Sequence, residues 1–170
     1  MEDWADAFVF YLMIAVGILK LAGIIKKWLD GNSGETTGAG SWIRIAPYTH
    51  IVRATILFCG ELLNEKGIKH FPGFSIRYYE HKKFGGLFNG EVVIYLKSNP
   101  DLESLVNTTL HEVRHYMQSV TDKQFKRYDE LTRDYGYWDN PFEVDARAFA
   151  ADYQQKALQH LESKQLIKRK

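Results

Sequence analysis

The stretch NPDLESLVNTTLHEVRHYMQSVT, residues 99–121, decides the fold of this chain. Its apolar residues recur at a spacing of three to four, which predicts an amphipathic helix over residues 100–121. Near the middle of that helix stands HEVRH, an example of the pattern HExxH. On a helix, its two histidines, His111 and His115, lie one turn apart on the same face.

The pattern HExxH has a direct chemical interpretation. Two histidines one helical turn apart let two imidazoles bind one Zn²⁺, while Glu112 between them reaches a water on that metal. Zinc in a catalytic site takes three protein ligands and keeps one position open. We therefore expect His111 and His115 as ligands, Glu112 as the general base and a third ligand from outside this helix. An accidental match to the pattern is the alternative.

A second helix is predicted downstream of this pattern. Asn140 can cap its start and Pro141 suits its first position, so that Glu143 falls in its first turn. A loop and a return helix allow the second helix to lie beside the first. Asp145, two residues after Glu143, can compete with it for the metal or accept a hydrogen bond that orients a ligand histidine.

HEVRH followed by EVDARAFA, residues 143–150, resembles the zincin metallopeptidases whose third zinc ligand is a glutamate. The chain is similar to the compact ImmA/IrrE-like and phage or mobile-element zincins over residues 90–155. By position, the resemblance implies three zinc ligands and one base, namely His111, His115, Glu143 and Glu112. Arg147 departs from the family pattern, which often has a small polar residue at that position.

The resemblance implies a zinc-dependent peptidase that hydrolyses peptide bonds of a protein or peptide substrate. In zincins an edge strand ahead of the active helix commonly pairs with extended substrate, and residues 92–96 hold that place here. A further donor has to stabilise the oxyanion. The candidates for this donor are Tyr128, Tyr135, Tyr137 and Arg114. The alternative function is a non-catalytic, membrane-anchored protein with a structural or vestigial zinc site.

Residues 42–170 have the size of one compact domain. Its predicted elements, besides the two helices above, are a helix over residues 49–66 that ends at Gly67, and strands over residues 74–79 and 90–96. Gly85-Gly86 marks a turn between the strands. We expect an α+β fold, a compact zincin-like domain in which a small sheet packs on helices and the active helix carries HEVRH.

Several single residues have simpler interpretations. Ser98 or Asn99 can cap the active helix, with Pro100 at its first position. We expect Gln118 to be solvated rather than bonded within the active helix, and Cys59 to be buried. The aromatic run over residues 135–138 is expected to be a packed loop, with a cleft-lining role as the alternative. The charged segment over residues 122–133 can act as a lid.

The N-terminal part of the chain is apolar. Residues 8–25 are interrupted only by Lys20, and Trp4 and Trp28 bracket them as aromatic belts do. Because about 20 apolar residues span a hydrocarbon core, we expect residues 1–29 to form a hydrophobic transmembrane helix. A buried core helix or an oligomerisation helix is the alternative.

Charges predict the orientation of this helix. Acidic residues precede it, whereas Lys26 and Lys27 follow it, so the positive-inside rule puts the C-terminal domain on the cytoplasmic side of a single-pass protein. A cleaved signal peptide fits badly, since the first residues are acidic. Residues 30–41 are rich in Gly, Ser and Thr and form a flexible linker.

The formal net charge of the chain is +1, so its overall charge does not indicate nucleic-acid binding. The single cysteine rules out a disulfide within the chain. The partners we expect are therefore the membrane and a protein or peptide substrate, and the expected cofactor is Zn²⁺.

Overall fold

The computed structural model describes residues 42–81 and 84–170. The hydrophobic helix over residues 1–29 and the linker over residues 30–41 lie outside the described ranges, so both stay predictions. Within the described ranges, no helix is long and apolar enough to cross a membrane.

Short strands and longer helices alternate along the described chain. In order they are β1 (Trp42–Arg44), α1 (Tyr48–Phe58), α2 (Gly60–Glu65), β2 (Phe74–Arg77), β3 (Gly86–Phe88), β4 (Val92–Tyr95), α3 (Leu102–Thr121), α4 (Tyr128–Tyr135), α5 (Pro141–Ser163) and β5 (Ile167–Arg169). Turns of 3-10 helix at Leu96–Ser98 and Lys123–Arg127 precede α3 and α4. The described domain is mixed α+β, with small sheets packed on helices, as predicted.

Strand β4 is the centre of a three-stranded sheet. It pairs in parallel with β2 and antiparallel with β3, which gives the order β2-β4-β3. All four of its residues are buried. The prediction that residues 92–96 form an edge strand open to substrate is therefore wrong, because β4 has a partner strand on each side. The edges of this sheet are β2 and β3.

Strand β3 begins at the second glycine of the predicted turn. The sequence predicts a turn at Gly85-Gly86, whereas Gly86 begins β3 and lies opposite Ile94. The backbone N–H of Tyr95 donates to the Gly85 carbonyl at 2.8 Å, which continues the pairing past the end of the strand. Three residues are too few for period-two alternation to be recognised, so only the pairing with β4 defines this strand.

A two-stranded antiparallel sheet forms from β1 and β5. Trp42 lies opposite Arg169, and Arg44 lies opposite Ile167. The Arg169 guanidinium lies 4.9 Å from the centroid of the Trp42 ring, a cation–π contact on the same pair. This sheet holds the strand that follows the end of α5 against the strand that precedes α1.

Helix α3 begins one residue after its cap, Asp101. The Asp101 Oδ1 accepts a hydrogen bond of 2.7 Å from the backbone N–H of Ser104, which satisfies a donor of the first helical turn. The prediction of Ser98 or Asn99 as the cap is therefore wrong. Both residues end the preceding 3-10 turn, and the chain stays extended between that turn and Leu102.

The apolar stripe of α3 packs against α5 and α1 to form the core. Its fully buried members include Leu105, Val106, Thr109, Leu110, Val113 and Met117. The face that α5 presents to the core includes Ala146, Ala150 and Ala157, all fully buried. Small side chains on one helix let the two axes approach closely, so α5 lies beside the HEVRH segment as the return helix predicted from the sequence.

The first predicted helix is interrupted. Instead of one helix over residues 49–66, α1 and α2 meet at Cys59, whose φ of −74° and ψ of 1° lie between them. The Cys59 N–H bonds to the Ile56 carbonyl, three residues back, so the turn tightens there. Cys59 is buried as predicted, and burial raises the pKa of its thiol to about 12.

Asn99 ties the three-stranded sheet to α3. Its amide donates to the carbonyls of Gly85 and Tyr95, each at 2.9 Å, and its Oδ1 accepts from the Thr108 hydroxyl at 2.7 Å. Asn99 is buried, so these bonds also satisfy a polar group that has left water. The network fixes the start of β3 over the second and third turns of α3.

Gly86 makes the close approach of β3 to α3 sterically feasible. A Cβ at position 86 would lie 2.7 Å from Thr108 Cγ2 and 2.8 Å from Glu112 Cγ. Both distances are shorter than van der Waals contact, so any side chain there forces the strand away from the helix. Glycine is therefore required at this position by the space that Glu112 occupies.

We expect Gly86→Ala to lower the free energy of unfolding by roughly 1–3 kcal/mol, the usual range for overpacking. Urea denaturation measures this change. Gly73→Ala is the matched control, because the nearest contact of an added Cβ there is Glu91 Cβ at an ordinary 3.8 Å. An unchanged unfolding midpoint for Gly86→Ala would contradict the close contact.

Candidate functional site

Three side chains that commonly bind metals converge where α3 and α5 meet. His111 Nε2 and His115 Nε2 lie 3.0 Å apart. Glu143 Oε2 lies 3.2 Å from His111 Nε2, and Glu143 Oε1 lies 3.1 Å from His115 Nε2. The structure therefore brings together the three residues that the sequence predicts as ligands.

The spacing of these atoms fits a single small cation. Tetrahedral ligands at roughly 2.0–2.1 Å from zinc lie about 3.3 Å from one another, close to the separations observed here. The Glu143 side chain is 2% exposed, and its Oε2 has no hydrogen bond within the described ranges although His111 Nε2 is near. A buried carboxylate oxygen without a donor is the kind of atom that a metal ion satisfies.

Local sequence explains how Glu143 reaches the histidines. Asn140 caps α5 as predicted, since its Oδ1 accepts from the Phe142 N–H at 3.0 Å, and Pro141 occupies the first turn. The Asn140 amide also donates to the Thr132 hydroxyl at 2.8 Å and so ties the start of α5 to α4. Glu143 then falls in the first turn, as predicted, and points at α3.

The neighbours of Glu143 keep it ionised despite its burial. Burial alone would raise the pKa of its carboxyl, but the adjacent His111 and His115 and the hydroxyl of Tyr128 lower that pKa well below its usual range. The Tyr128 hydroxyl donates to Glu143 Oε1. An ionised carboxylate beside two imidazoles is the charge state that a divalent cation requires of its ligands.

Gln118 orients His115, contrary to the prediction that it is solvated. It is buried, and its Nε2 donates to the Phe142 carbonyl at 3.0 Å and to Asp145 Oδ2 at 2.7 Å. With both amide hydrogens used, its Oε1 faces His115 Nδ1 at 2.8 Å and accepts a hydrogen bond from the N–H group there. The lone pair of His115 then lies on Nε2, which faces the cluster.

Asp145 supports the site from behind and is not part of the cluster. Its carboxylate accepts from Arg114 Nε at 2.7 Å and from Arg114 Nη2 at 3.1 Å. Burial alone would raise the pKa of Asp145, but the bonds from Arg114 and Gln118 lower it. Asp145 therefore neither joins the cluster nor bonds to a histidine directly; it accepts from Gln118, and Gln118 in turn contacts His115.

Glu112 lies on the same helix between the histidines but outside their cluster. It is 5% exposed and packs under Gly86 of β3. Burial raises the pKa of its carboxyl to about 8, with the charge of His115 opposing this rise and that of Glu143 adding to it. A carboxyl with a pKa near neutrality can take up and release a proton at physiological pH.

Two of the four oxyanion candidates lie in the cleft. Tyr128 and Tyr137 line it, and burial followed by interaction with Glu143 raises the pKa of each phenol above its usual value. Both are therefore protonated donors at neutral pH. Arg114 is instead engaged by Asp145, and Tyr135 is exposed, so neither lies at the cluster.

A cavity of about 530 Å³ opens beside the cluster. One wall is β3, and the opposite wall is the 3-10 turn and α4, which correspond to the charged segment predicted as a lid. Its apolar lining includes Phe84, Leu87, Phe88 and Phe125. Sequence reasoning missed these apolar residues because residues 84–88 and Phe125 are separate in sequence and share no pattern. The aromatic run over residues 135–138 is divided, since Tyr137 lines the cavity and Trp138 is 70% exposed.

A family described as "Protein of unknown function (DUF3920)" matches residues 49–160. The matched range includes α1, the three-stranded sheet, α3 and most of α5, and with them His111, Glu112, His115 and Glu143. No curated protein and no solved structure matches the chain. By the share of its length that this match covers, the chain belongs to the DUF3920 family.

Proposed function

We propose that this protein is a zinc-dependent peptidase that hydrolyses peptide bonds of a protein or peptide substrate. The observation that carries the proposal is the convergence of His111, His115 and Glu143 beside an open cleft, with Glu112 next to them. Zinc held by these three side chains would lower the pKa of a coordinated water and polarise the scissile carbonyl. The resemblance of HEVRH and the glutamate-led helix to zincins supports the same assignment.

The number of protein ligands supports a catalytic rather than a structural site. Structural zinc sites are closed by four protein ligands, whereas catalytic sites have three and an open position. Among the described residues the cluster has three members, and it faces a cavity of about 530 Å³. A non-catalytic protein with a structural zinc would need a fourth ligand from elsewhere.

Glu112 is the proposed general base. It would take a proton from the attacking water and pass that proton to the leaving amine. Burial raises the pKa of Glu112 to about 8 without a bound metal. The positive charge of a zinc ion held by the cluster would lower this pKa and favour the carboxylate, the form that accepts a proton. Tyr137 would donate a hydrogen bond to the oxygen that gains charge in the transition state, and Tyr128 would do so only after releasing its bond to Glu143 Oε1.

The free edge of β3 is the proposed docking strand for extended substrate. β3 is an edge strand of its sheet, and all three of its residues, Gly86–Phe88, line the cleft. An added peptide strand would gain backbone hydrogen bonds and present alternate side chains to the cavity. The apolar segment over residues 8–25 supports a membrane-tethered enzyme whose domain lies on the cytoplasmic side.

We expect the purified protein to bind about one zinc ion per chain under zinc-replete conditions. His111→Ala, His115→Ala and Glu143→Ala should each weaken binding by at least tenfold, because three protein ligands share the ion. Elemental analysis and competition with a chelating dye measure both quantities. His50→Ala, at an exposed histidine of α1, is the control and should bind zinc normally. Equal zinc affinity in all variants would reject the ligand set.

Gln118→Met should weaken zinc binding by roughly 10- to 100-fold while leaving about one zinc per chain at saturation. The substitution removes the acceptor at His115 Nδ1 without changing a ligand. Chelator competition gives the affinity. Gln155→Met, at an exposed position of α5, should have no effect. Unchanged affinity in Gln118→Met would show that His115 is oriented without this amide.

Glu112→Gln should keep zinc and lose hydrolysis by a factor of about 10²–10⁴, since only the base is removed. Mass spectrometry of a peptide mixture incubated with each protein detects the cleavage. The zinc content of the variant serves as its internal control. Hydrolysis at the wild-type rate in Glu112→Gln would exclude the proposed role of this residue.

A further inference from the structure

The site opens into two cavities of different character. The cavity of about 530 Å³ and a smaller one of about 190 Å³ share six lining residues, among them His111, Glu112 and Glu143. Asn107 and Thr108 of α3 line the smaller cavity, whereas His115 lines the larger one. The two cavities therefore extend toward opposite ends of α3 from the cluster, and a bound peptide would cross from one into the other.

The smaller cavity is lined by a positively charged side chain, that of Arg147. The Arg147 side chain lines it from α5, next to Trp138, and is 34% exposed. Its Nη2 donates to the Trp138 carbonyl, and its guanidinium lies 5.2 Å from the centroid of the Trp138 ring. These two contacts fix the plane and position of the guanidinium at the cavity wall.

The other terminal nitrogen of Arg147 is left without an acceptor. Its Nη1 lies 3.8 Å from Glu143 Oε2, which is beyond hydrogen-bond range, and it makes no hydrogen bond within residues 42–81 and 84–170. The contact with Glu143 Oε2 is therefore an ion pair without a hydrogen bond, and the hydrogens of Nη1 stay without an acceptor. A guanidinium donor that leaves water without gaining an acceptor is unfavourable, and a ligand oxygen would relieve this cost.

Neighbouring polar side chains of the smaller cavity are already bonded. The Thr108 hydroxyl donates to Asn99 Oδ1, and the Asn107 amide donates to Gln154 Oε1 at 3.0 Å. The smaller cavity therefore has a guanidinium nitrogen without a hydrogen-bond acceptor, whereas the larger cavity is lined by Phe88, Phe125 and Lys126.

We infer that Arg147 determines specificity by binding a substrate carboxylate in the smaller cavity, while an apolar side chain enters the larger one. This inference rests on the proposed peptidase function. A guanidinium matches the planar geometry of a carboxylate and forms charge-assisted bonds with it. The carboxylate is either the side chain of an aspartate or glutamate near the cleaved bond or the free C-terminus of the peptide.

The first test compares cleavage of matched peptides by the zinc-loaded full chain. One pair differs in Asp against Asn beside the cut, both with amidated C-termini, and a second, neutral pair differs in a free against an amidated C-terminus. We expect kcat/KM to be about tenfold higher for the carboxylate member of one pair, which also identifies the source of the carboxylate. Equal kcat/KM within both pairs overturns the inference and leaves the peptidase function intact.

Variants of Arg147 assign the preference to this residue. Arg147→Gln should reduce the preference to within about twofold, Arg147→Lys should keep part of it, and Arg147→Glu should reverse it toward Lys-containing peptides. Arg53→Gln, at an exposed arginine of α1, should keep the full preference. A preference that persists in Arg147→Gln overturns the inference. Circular dichroism and zinc content show which variants are folded. If Arg147→Gln does not fold, the preference measured with Arg147→Lys decides the test.

Binding without turnover separates failure of the inference from failure of the proposed function. In Glu112→Gln, fluorescence anisotropy should give about tenfold tighter binding of the carboxylate peptide, and this difference should disappear in Glu112→Gln with Arg147→Gln. If the wild type cleaves no peptide, the peptidase function is wrong and the affinities alone decide the role of Arg147. Equal affinities for both members of each pair would then overturn the inference that Arg147 binds a carboxylate.

Discussion

The burial of an ionised Glu143 between two helices is the constraint on which the rest of the site depends. A carboxylate that is 2% exposed is unstable unless donors or a cation compensate for its lost hydration. Tyr128 provides one donor, and His111 and His115 lie within 3.2 Å. The alanines on the inner face of α5 bring the helix close enough to α3 for these contacts. Core packing and site geometry are thus set by the same pair of helices.

A second layer of interactions keeps the cluster in one arrangement. Gln118 determines which nitrogen of His115 carries the proton, and the Arg114–Asp145 ion pair holds Gln118 in place. On the opposite side, Asn99 holds the start of β3 against α3, and Gly86 leaves just enough space for Glu112. Metal-binding and catalytic groups need such support, because small displacements of the reacting groups cost affinity and rate. The proposed peptidase chemistry therefore depends on residues that never contact the substrate.

The proposed function and the proposed specificity rest on different parts of the cleft. His111, Glu112 and Glu143 line both cavities, whereas Arg147 lines only the smaller cavity and Phe88 and Phe125 line only the larger one. Membership of the DUF3920 family assigns no activity, so the proposed peptidase activity rests on the chemistry of the donor set. Arg147, a departure from the zincin pattern in the sequence, is the proposed determinant of specificity in the smaller cavity.

Local sequence determined the two helices of the site, because capping and helical spacing act within a few residues. HEVRH set the spacing of the histidines, and Asn140-Pro141 set Glu143 in the first turn of α5. The sequence predicted the strand β4 but not its central place in the sheet, and it did not predict β3, the break at Cys59 or the burial of Gln118. Each of these depends on partners far along the chain: β4 on strands at both sides, and Gln118 on Asp145 and Phe142. Tertiary packing alone decides such features, because a strand's edges and a polar group's partners are set by what lies next to them in space.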